Sequence, residues 1–166
     1  MDTRTPIPVE EYLRTSYRPD CDYVDGEVLE RSPGGPDHAQ LQSSAAAYFH
    51  ARRDISVRME TRVWVRKDRV LVSDICVFLG DVSKNILALP PPFLCIEIIT
   101  PEDRFMHLQR RITDYLQKGV PYVWALDPAR KEAFAATADT GFCEIKSGVL
   151  ATENPTLDMP LSEVFA

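Results

Sequence analysis

Two carboxylic acids interrupt apolar runs in which a charge is out of place. Asp74 stands inside Val70-Leu71-Val72-Ser73-Asp74-Ile75-Cys76-Val77-Phe78-Leu79, and Glu97 inside Phe93-Leu94-Cys95-Ile96-Glu97-Ile98-Ile99. An ionised carboxylate buried without partners is strongly disfavoured and protonates instead. Acids at such positions are therefore hydrogen-bonded, ion-paired or metal-bound. Two of them on consecutive core strands can converge on one cation. Mg²⁺ takes oxygen ligands and keeps several waters, so two carboxylates suffice to hold it. The alternative is two separate buried ion pairs with some of the chain's arginines. The shared-cation reading has two consequences. The two carboxylates must lie close together in a cleft, and without metal they must repel, so Asp74→Asn is expected to leave the ion-free protein unchanged or more stable.

The surrounding pattern supplies the elements that position these acids. Val9 to Leu13 suits a short helix, and Asp25-Gly26 between the apolar pairs of Tyr23–Glu30 is a hairpin signal. Ser32-Pro33-Gly34-Gly35-Pro36 reads as a loop, followed by a helix with Asp37 as cap and Gln40 three residues on. Leu41, Ala45, Tyr48 and Phe49 give that helix an apolar face. From Val57 to Arg66 residues alternate, with Val57, Met59, Thr61, Val63 and Val65 on one side and Arg58, Glu60, Arg62, Trp64 and Arg66 on the other. After a turn at Lys67-Asp68-Arg69, the runs 70–79 and 93–99 read as strands covered on both faces. Thr100-Pro101-Glu102-Asp103 predicts the start of a second long helix, with Phe105, Leu108, Ile112 and Tyr115 buried and Lys118-Gly119 at its end. A strand at Tyr122–Leu126 stops at Asp127-Pro128. Weak strands at Phe142–Ile145 and Val149–Ala151 and a short segment at Leu161–Phe165 complete the chain. The order helix, three strands, helix, strand is that of one α/β domain with a mixed central sheet flanked by helices, residues 1–22 forming an N-terminal extension.

Bulk properties narrow the function. The chain has 166 residues, 45% hydrophobic and 27% charged, with a net charge of −6. That balance counts against broad electrostatic binding of nucleic acid but leaves room for a local basic groove or for a metal that neutralises phosphate. The four cysteines form no CxxC pair, which argues against a zinc site and fits a reducing cytoplasm. No apolar stretch is long enough for a membrane span, and the N-terminus has no apolar signal core.

Several segments, taken in order, resemble the Uma2 family of restriction-endonuclease-like proteins. They are Tyr23-Val24-Asp25-Gly26-Glu27, the loop ending Pro36-Asp37-His38, Arg69 to Asp74, Pro91 to Asp103, and Tyr115 to Pro128. The resemblance runs from about residue 23 to 165. It implies the PD-(D/E)XK nuclease fold, with an αβββαβ core, and a site in which Asp74 and Glu97 bind the metal. It further implies that Glu27 is an upstream acid of the site and that His38, just before the first long helix, contacts metal or phosphate. The lysine expected after the second acid is missing, because Ile98-Ile99 follows Glu97. In the family that lysine has moved into the next helix, four residues before the tyrosine, where this chain has Arg111.

The activity so implied is Mg²⁺-dependent hydrolysis of nucleic-acid phosphodiester bonds, with Mn²⁺ as a substitute ion, DNA as the partner and a homodimer as the working form. Arg111 would clamp phosphate but could not serve as a base, because guanidinium stays protonated. Arg58, Arg62 and Arg66 could add backbone contacts, or simply line a solvated strand face. The competing reading is a non-cleaving member of the same fold that binds nucleic acid or a protein.

Overall fold

The computed structural model describes residues 5–103 and 105–165. In chain order it contains α1 (Val9–Arg14), β1 (Asp22–Val24), β2 (Glu27–Leu29), α2 (Pro36–His50), β3 (Ile55–Arg66), β4 (Arg69–Leu79), β5 (Leu94–Ile98), α3 (Phe105–Lys118), β6 (Tyr122–Asp127), β7 (Glu132–Thr137), β8 (Gly141–Glu144), β9 (Val149–Ala151) and β10 (Asp158–Pro160), with two single 3-10 turns at Ile86–Ala88 and Leu161–Glu163. The run α2-β3-β4-β5-α3-β6 is the expected αβββαβ core. None of the described helices is long and apolar enough to cross a membrane.

The main sheet has the order β2-β1-β4-β5-β6-β7-β8, with β3 also paired to β4. Its strands are antiparallel except for β5 and β6, which α3 connects as a parallel crossover. Helix α2 covers one face, packing Leu41, Ala45 and Phe49 against Ile75, Val77, Ile96, Trp124 and Leu126. Helix α3 covers the other, packing Leu108, Ile112 and Tyr115 against Cys76, Phe78, Cys95, Val123 and Ala125. This two-faced burial is why β4 and β5 read as unbroken apolar runs.

One feature of the sheet creates the site. Strand β3 pairs along the whole of β4, from Ile55↔Leu79 to Arg66↔Arg69. The other edge of β4 is shared: β1 takes Arg69 and Val70, and β5 takes Ile75 to Val77. Between them, residues 71–74 of β4 have no strand partner on that edge among the described residues. Backbone groups there need other partners, because unpaired buried amides are costly. Side chains supply them, as described below.

Three local expectations are corrected. The strict alternation of β3 fails at its middle. Val57 packs on the α2 side, whereas Val63 and Val65 pack on the α3 side, although all are odd-numbered. The switch falls at Glu60, whose φ of 49° lies in the left-handed region. Opposite it, β4 switches too, with Leu71 on the α3 side and Ile75 on the α2 side. Such irregularities bend strands and re-aim side chains, often beside functional sites. Second, α3 begins at Phe105 rather than Thr100. The Thr100 N–H donates to the Asp103 carboxylate at 2.7 Å and the Asp103 N–H to the Thr100 carbonyl at 3.0 Å, closing a separate turn before the helix. Third, α2 is capped by Gly35, with Pro36 as its first residue and Asp37 inside the first turn rather than capping it.

The hairpin behaves as its residues require: Asp25 and Gly26 both have positive φ, 52° and 90°, as a two-residue type I′ turn demands. The N-terminal segment is built into the fold. Tyr12 of α1 is fully buried in a cluster with Tyr23 and Val70 and donates its hydroxyl to the Cys21 carbonyl at 2.6 Å. Arg62 holds this segment in place. It donates to Asp20 at 2.8 and 2.7 Å and to the carbonyls of Tyr12 and Thr15, and its guanidinium lies 4.2 Å from the Tyr12 ring centre. Arg58 is similarly committed, donating to the carbonyls of Val82 and Ser83 at 2.9 Å. These two arginines brace loops and do not present a free basic strip, while Arg66 is about half exposed.

Candidate active site

Strands β4 and β5 run antiparallel with Ile75 opposite Ile96. The ladder ends at that pair, and Asp74 and Glu97 follow it just beyond its end, one on each strand. Both acids are buried, at 2% and 5% exposure, and both line a cleft of about 540 Å³. Chain order alone could place the two acids on consecutive strands; the fold opens both onto one cleft.

Each carboxylate is held by named partners. Asp74 accepts the Ile98 N–H on Oδ2 at 2.7 Å. Its Oδ1 accepts Nη2 of Arg31 at 2.6 Å and lies 3.4 Å from Nε2 of His38. Glu97 accepts the Tyr115 hydroxyl on Oε1 at 2.7 Å, and its Oε2 lies 3.4 Å from Nε of Arg111. The two separate ion pairs raised by the residue pattern are therefore both present, Asp74 with Arg31 and Glu97 with Arg111. That is the arrangement that competes with a shared cation, although both acids line the same cleft.

Arg111 reaches the cleft because it lies on the buried stripe of α3, between Leu108 and Ile112 and one turn before Tyr115. All three of its nitrogens are engaged. Nη1 pairs with Asp22, Nη2 donates to the Val72 carbonyl at 2.8 Å, and Nε faces Glu97. Asp22 in turn accepts the Val72 N–H at 2.7 Å. Asp22 and Arg111 thus satisfy the β4 backbone exposed where β1 and β5 part. An arginine 8% exposed and so committed has no free pair of N–H groups for a bidentate phosphate clamp, which corrects that expectation.

The remaining expected residues fall on both sides of the question. His38, in the first turn of α2, is at the site. Gly34 makes this possible: a Cβ there would meet ring and Cβ atoms of His38 at 2.5–2.8 Å. Glu27 is not among the described residues that line the cleft. It shares a sheet face with Asp22 but sits exposed on edge strand β2, opposite Val24 at the turn end. The hairpin's contribution to the centre is Asp22. Neither Asp22 nor Arg31 stands out in sequence, since one opens a short strand and the other precedes a Ser-Pro-Gly-Gly loop. The only signal was that buried acids need cations, without saying which.

Electrostatics separate the two acids. Burial alone would raise the Asp74 carboxyl, but the His38 hydrogen bond, the Arg31 charge and the Ile98 N–H outweigh it and hold it below its ordinary range. Burial pushes Glu97 up to about 7, against the pull of Arg111 and with the help of the Asp74 charge. His38 is raised, chiefly by its hydrogen bond to Asp74. Among the described residues, no three His, Cys, Asp or Glu side chains form a ready metal cage. The oxygen donors of Asp74 and Glu97 nevertheless suit a hard cation that keeps its waters. Their mutual repulsion, visible in Glu97, is what such an ion would relieve. The obstacle is Arg31, whose guanidinium holds Oδ1 of Asp74.

Comparison with known proteins agrees with this architecture. The Uma2 family, described as "Putative restriction endonuclease", matches residues 9–165. No curated protein matches the chain. Among solved structures, one titled as a "putative nuclease belonging to DUF820" from Anabaena variabilis superposes with a TM-score of 0.79 at 20% identity, covering 96% of this chain and 98% of that one. At that identity the likeness establishes the fold alone. With the family match spanning α1 to the last turn, the chain belongs to the Uma2 family.

Proposed function

We propose that the protein is a metal-dependent endonuclease that hydrolyses phosphodiester bonds of DNA. The observation that carries this reading is that Asp74 and Glu97, two buried acids on adjacent antiparallel strands, line one cleft. A divalent ion held by these two acids, Mg²⁺ or Mn²⁺, would supply a bound water of lowered pKa and offset charge on the scissile phosphate. The protein's own residues prepare that seat. The Ile98 N–H fixes Oδ2 of Asp74. Tyr115 and Arg111 orient Glu97, so Arg111 acts here as a positioning residue. His38, raised above its ordinary range, is poised to donate to a phosphate oxygen. Arg110, exposed on the cleft wall, takes over the phosphate contact that Arg111 cannot make. Three buried free cysteines suit the cytoplasm, and a homodimer remains the working form by analogy with the fold.

A second reading has its own observation. Both acids already carry arginine partners, as a non-cleaving binding module would require. Cleavage of labelled single- and double-stranded DNA in Mg²⁺ and Mn²⁺ separates the two, with Asp74→Ala as the blank. Metal-dependent cleavage that vanishes in Asp74→Ala supports the enzyme. Equal traces in both proteins, or none in either, support the binding module.

A further inference from the structure

Arg31 is the residue of this cleft whose role the proposed chemistry leaves unexplained. It lies in the loop between β2 and α2, with 18% of its side chain exposed. One end of its guanidinium sits on Oδ1 of Asp74 at 2.6 Å. The other end pairs with the carboxylate of Glu60, which is 44% exposed and also accepts Nε2 of Gln42 at 2.7 Å. The left-handed backbone at Glu60, in register opposite Asp74, is what brings this second acid to the same guanidinium. Arg31 therefore bridges a core acid and an acid at the rim.

The geometry conflicts with cation binding. Oδ2 of Asp74 accepts a backbone N–H that the strand fixes, whereas Oδ1 is held only by the movable side chains of Arg31 and His38, so Oδ1 is the oxygen a cation would use. A guanidinium in hydrogen-bond contact with that oxygen and a divalent ion bonded to it at about 2.1 Å would be like charges in contact. Arg31 has somewhere to go, because Glu60 keeps it paired after it leaves Asp74. Resting on the reading of Asp74 and Glu97 as the cation seat, we propose that Arg31 is an exchangeable counter-ion. It occupies the seat on Asp74 in the ion-free protein, and a divalent ion must displace it onto Glu60 to bind. The device stabilises the empty site and sets a threshold of metal concentration for loading it.

The test is Mn²⁺ binding by the full-length protein, followed by titration calorimetry and by loss of the free-ion electron paramagnetic resonance signal, with no nucleic acid present. Arg31→Met removes the charge and keeps an apolar stem, and Arg31→Lys retains the charge. A nearby cation shifts a carboxylate by about one to three pKa units, so Arg31→Met should bind Mn²⁺ about tenfold or more tighter than wild type. Arg31→Lys should remain close to wild type. Adding Asp74→Asn to Arg31→Met should abolish the gain. Equal or weaker binding by a folded Arg31→Met, while wild type binds, would overturn the exchange and leave the cation seat intact. No Mn²⁺ binding by wild type, Arg31→Met or Arg31→Lys would overturn the cation seat itself and the exchange with it. Should Arg31→Met fail to fold, Arg31→Gln answers the same question, with tighter binding supporting the exchange and unchanged binding overturning it.

Discussion

Replacing Asp74 by Asn in the ion-free protein tests how the site is held together. The residue pattern alone argued that this change would be neutral or stabilising, because two acids would repel. The structure reverses the sign. Asp74 is 2% exposed and ion-paired to Arg31, and its pKa is held below the ordinary range, so its charged form is favoured in the fold. Breaking a buried ion pair by removing one partner costs about 3–5 kcal/mol. Two features reduce this. Asn can still accept the Ile98 N–H, and Arg31 keeps Glu60 and partial access to water. Relief of the repulsion on Glu97 offsets a further part, since its carboxyl is raised partly by Asp74. A net loss of about 2 kcal/mol follows.

The pH dependence has a definite sign. Glu97 titrates at about 7 in the fold against 4.5 unfolded, so its contribution to stability is full below 4.5 and is lost as pH rises to 7. In Asp74→Asn that decline shrinks, because the Asp74 charge no longer raises Glu97. Wild type should therefore exceed the variant by more at pH 5 than at pH 7.5. Below 3.8 the difference should close, as Asp74 itself takes up a proton and its depressed pKa ceases to help. Urea denaturation in EDTA at these pH values measures it. A variant equal to or more stable than wild type at pH 7.5 would refute the reasoning and mark Asp74 as an uncompensated acid.

Other changes probe other links. Arg111→Ala strands Asp22, Glu97 and the Val72 carbonyl, and should cost about 3–5 kcal/mol in denaturant unfolding, whereas a surface arginine would cost almost nothing. Arg111→Lys should recover part of that stability and, in the DNA cleavage assay, retain more activity than Arg111→Ala; equal activity in all three proteins would remove Arg111 from the site. Arg62→Ala should expose the N-terminal segment to limited proteolysis and lower stability by about 2 kcal/mol or more, because one guanidinium holds Asp20, two carbonyls and the Tyr12 ring. Gly34→Ala forces a Cβ into the His38 ring and should cost about 1–3 kcal/mol, with His38 shifting down toward its ordinary pKa in a proton NMR titration as it leaves Asp74.

Much of this protein was legible in its residues. Acids inside the runs 70–79 and 93–99 announced two functional or paired carboxylates, because burial makes any other arrangement unstable. Asp25-Gly26 and the apolar stripe of α3 marked a hairpin and a buried helix face through local conformational preference, whereas Pro36, which starts α2, reads as loop in the sequence. Strand β7 was not legible. Glu132–Thr137 is Ala-rich and has weak strand preference, and it becomes a strand because the open edge of β6 offers hydrogen bonds. The partners of the acids were likewise hidden. Arg31 and Glu60 are 29 residues apart, and Asp22 and Arg111 are 89 apart. Nothing local distinguishes these from other charged residues. Their meeting depends on the parting of β1 and β5 along one edge of β4, and on the reversal of faces at Glu60. Both arise from how the strands pack into one twisted sheet. Residue pattern therefore determined that charges would be buried, and the tertiary structure decided which charges face one another, because ion pairing acts through space and leaves no period along the chain.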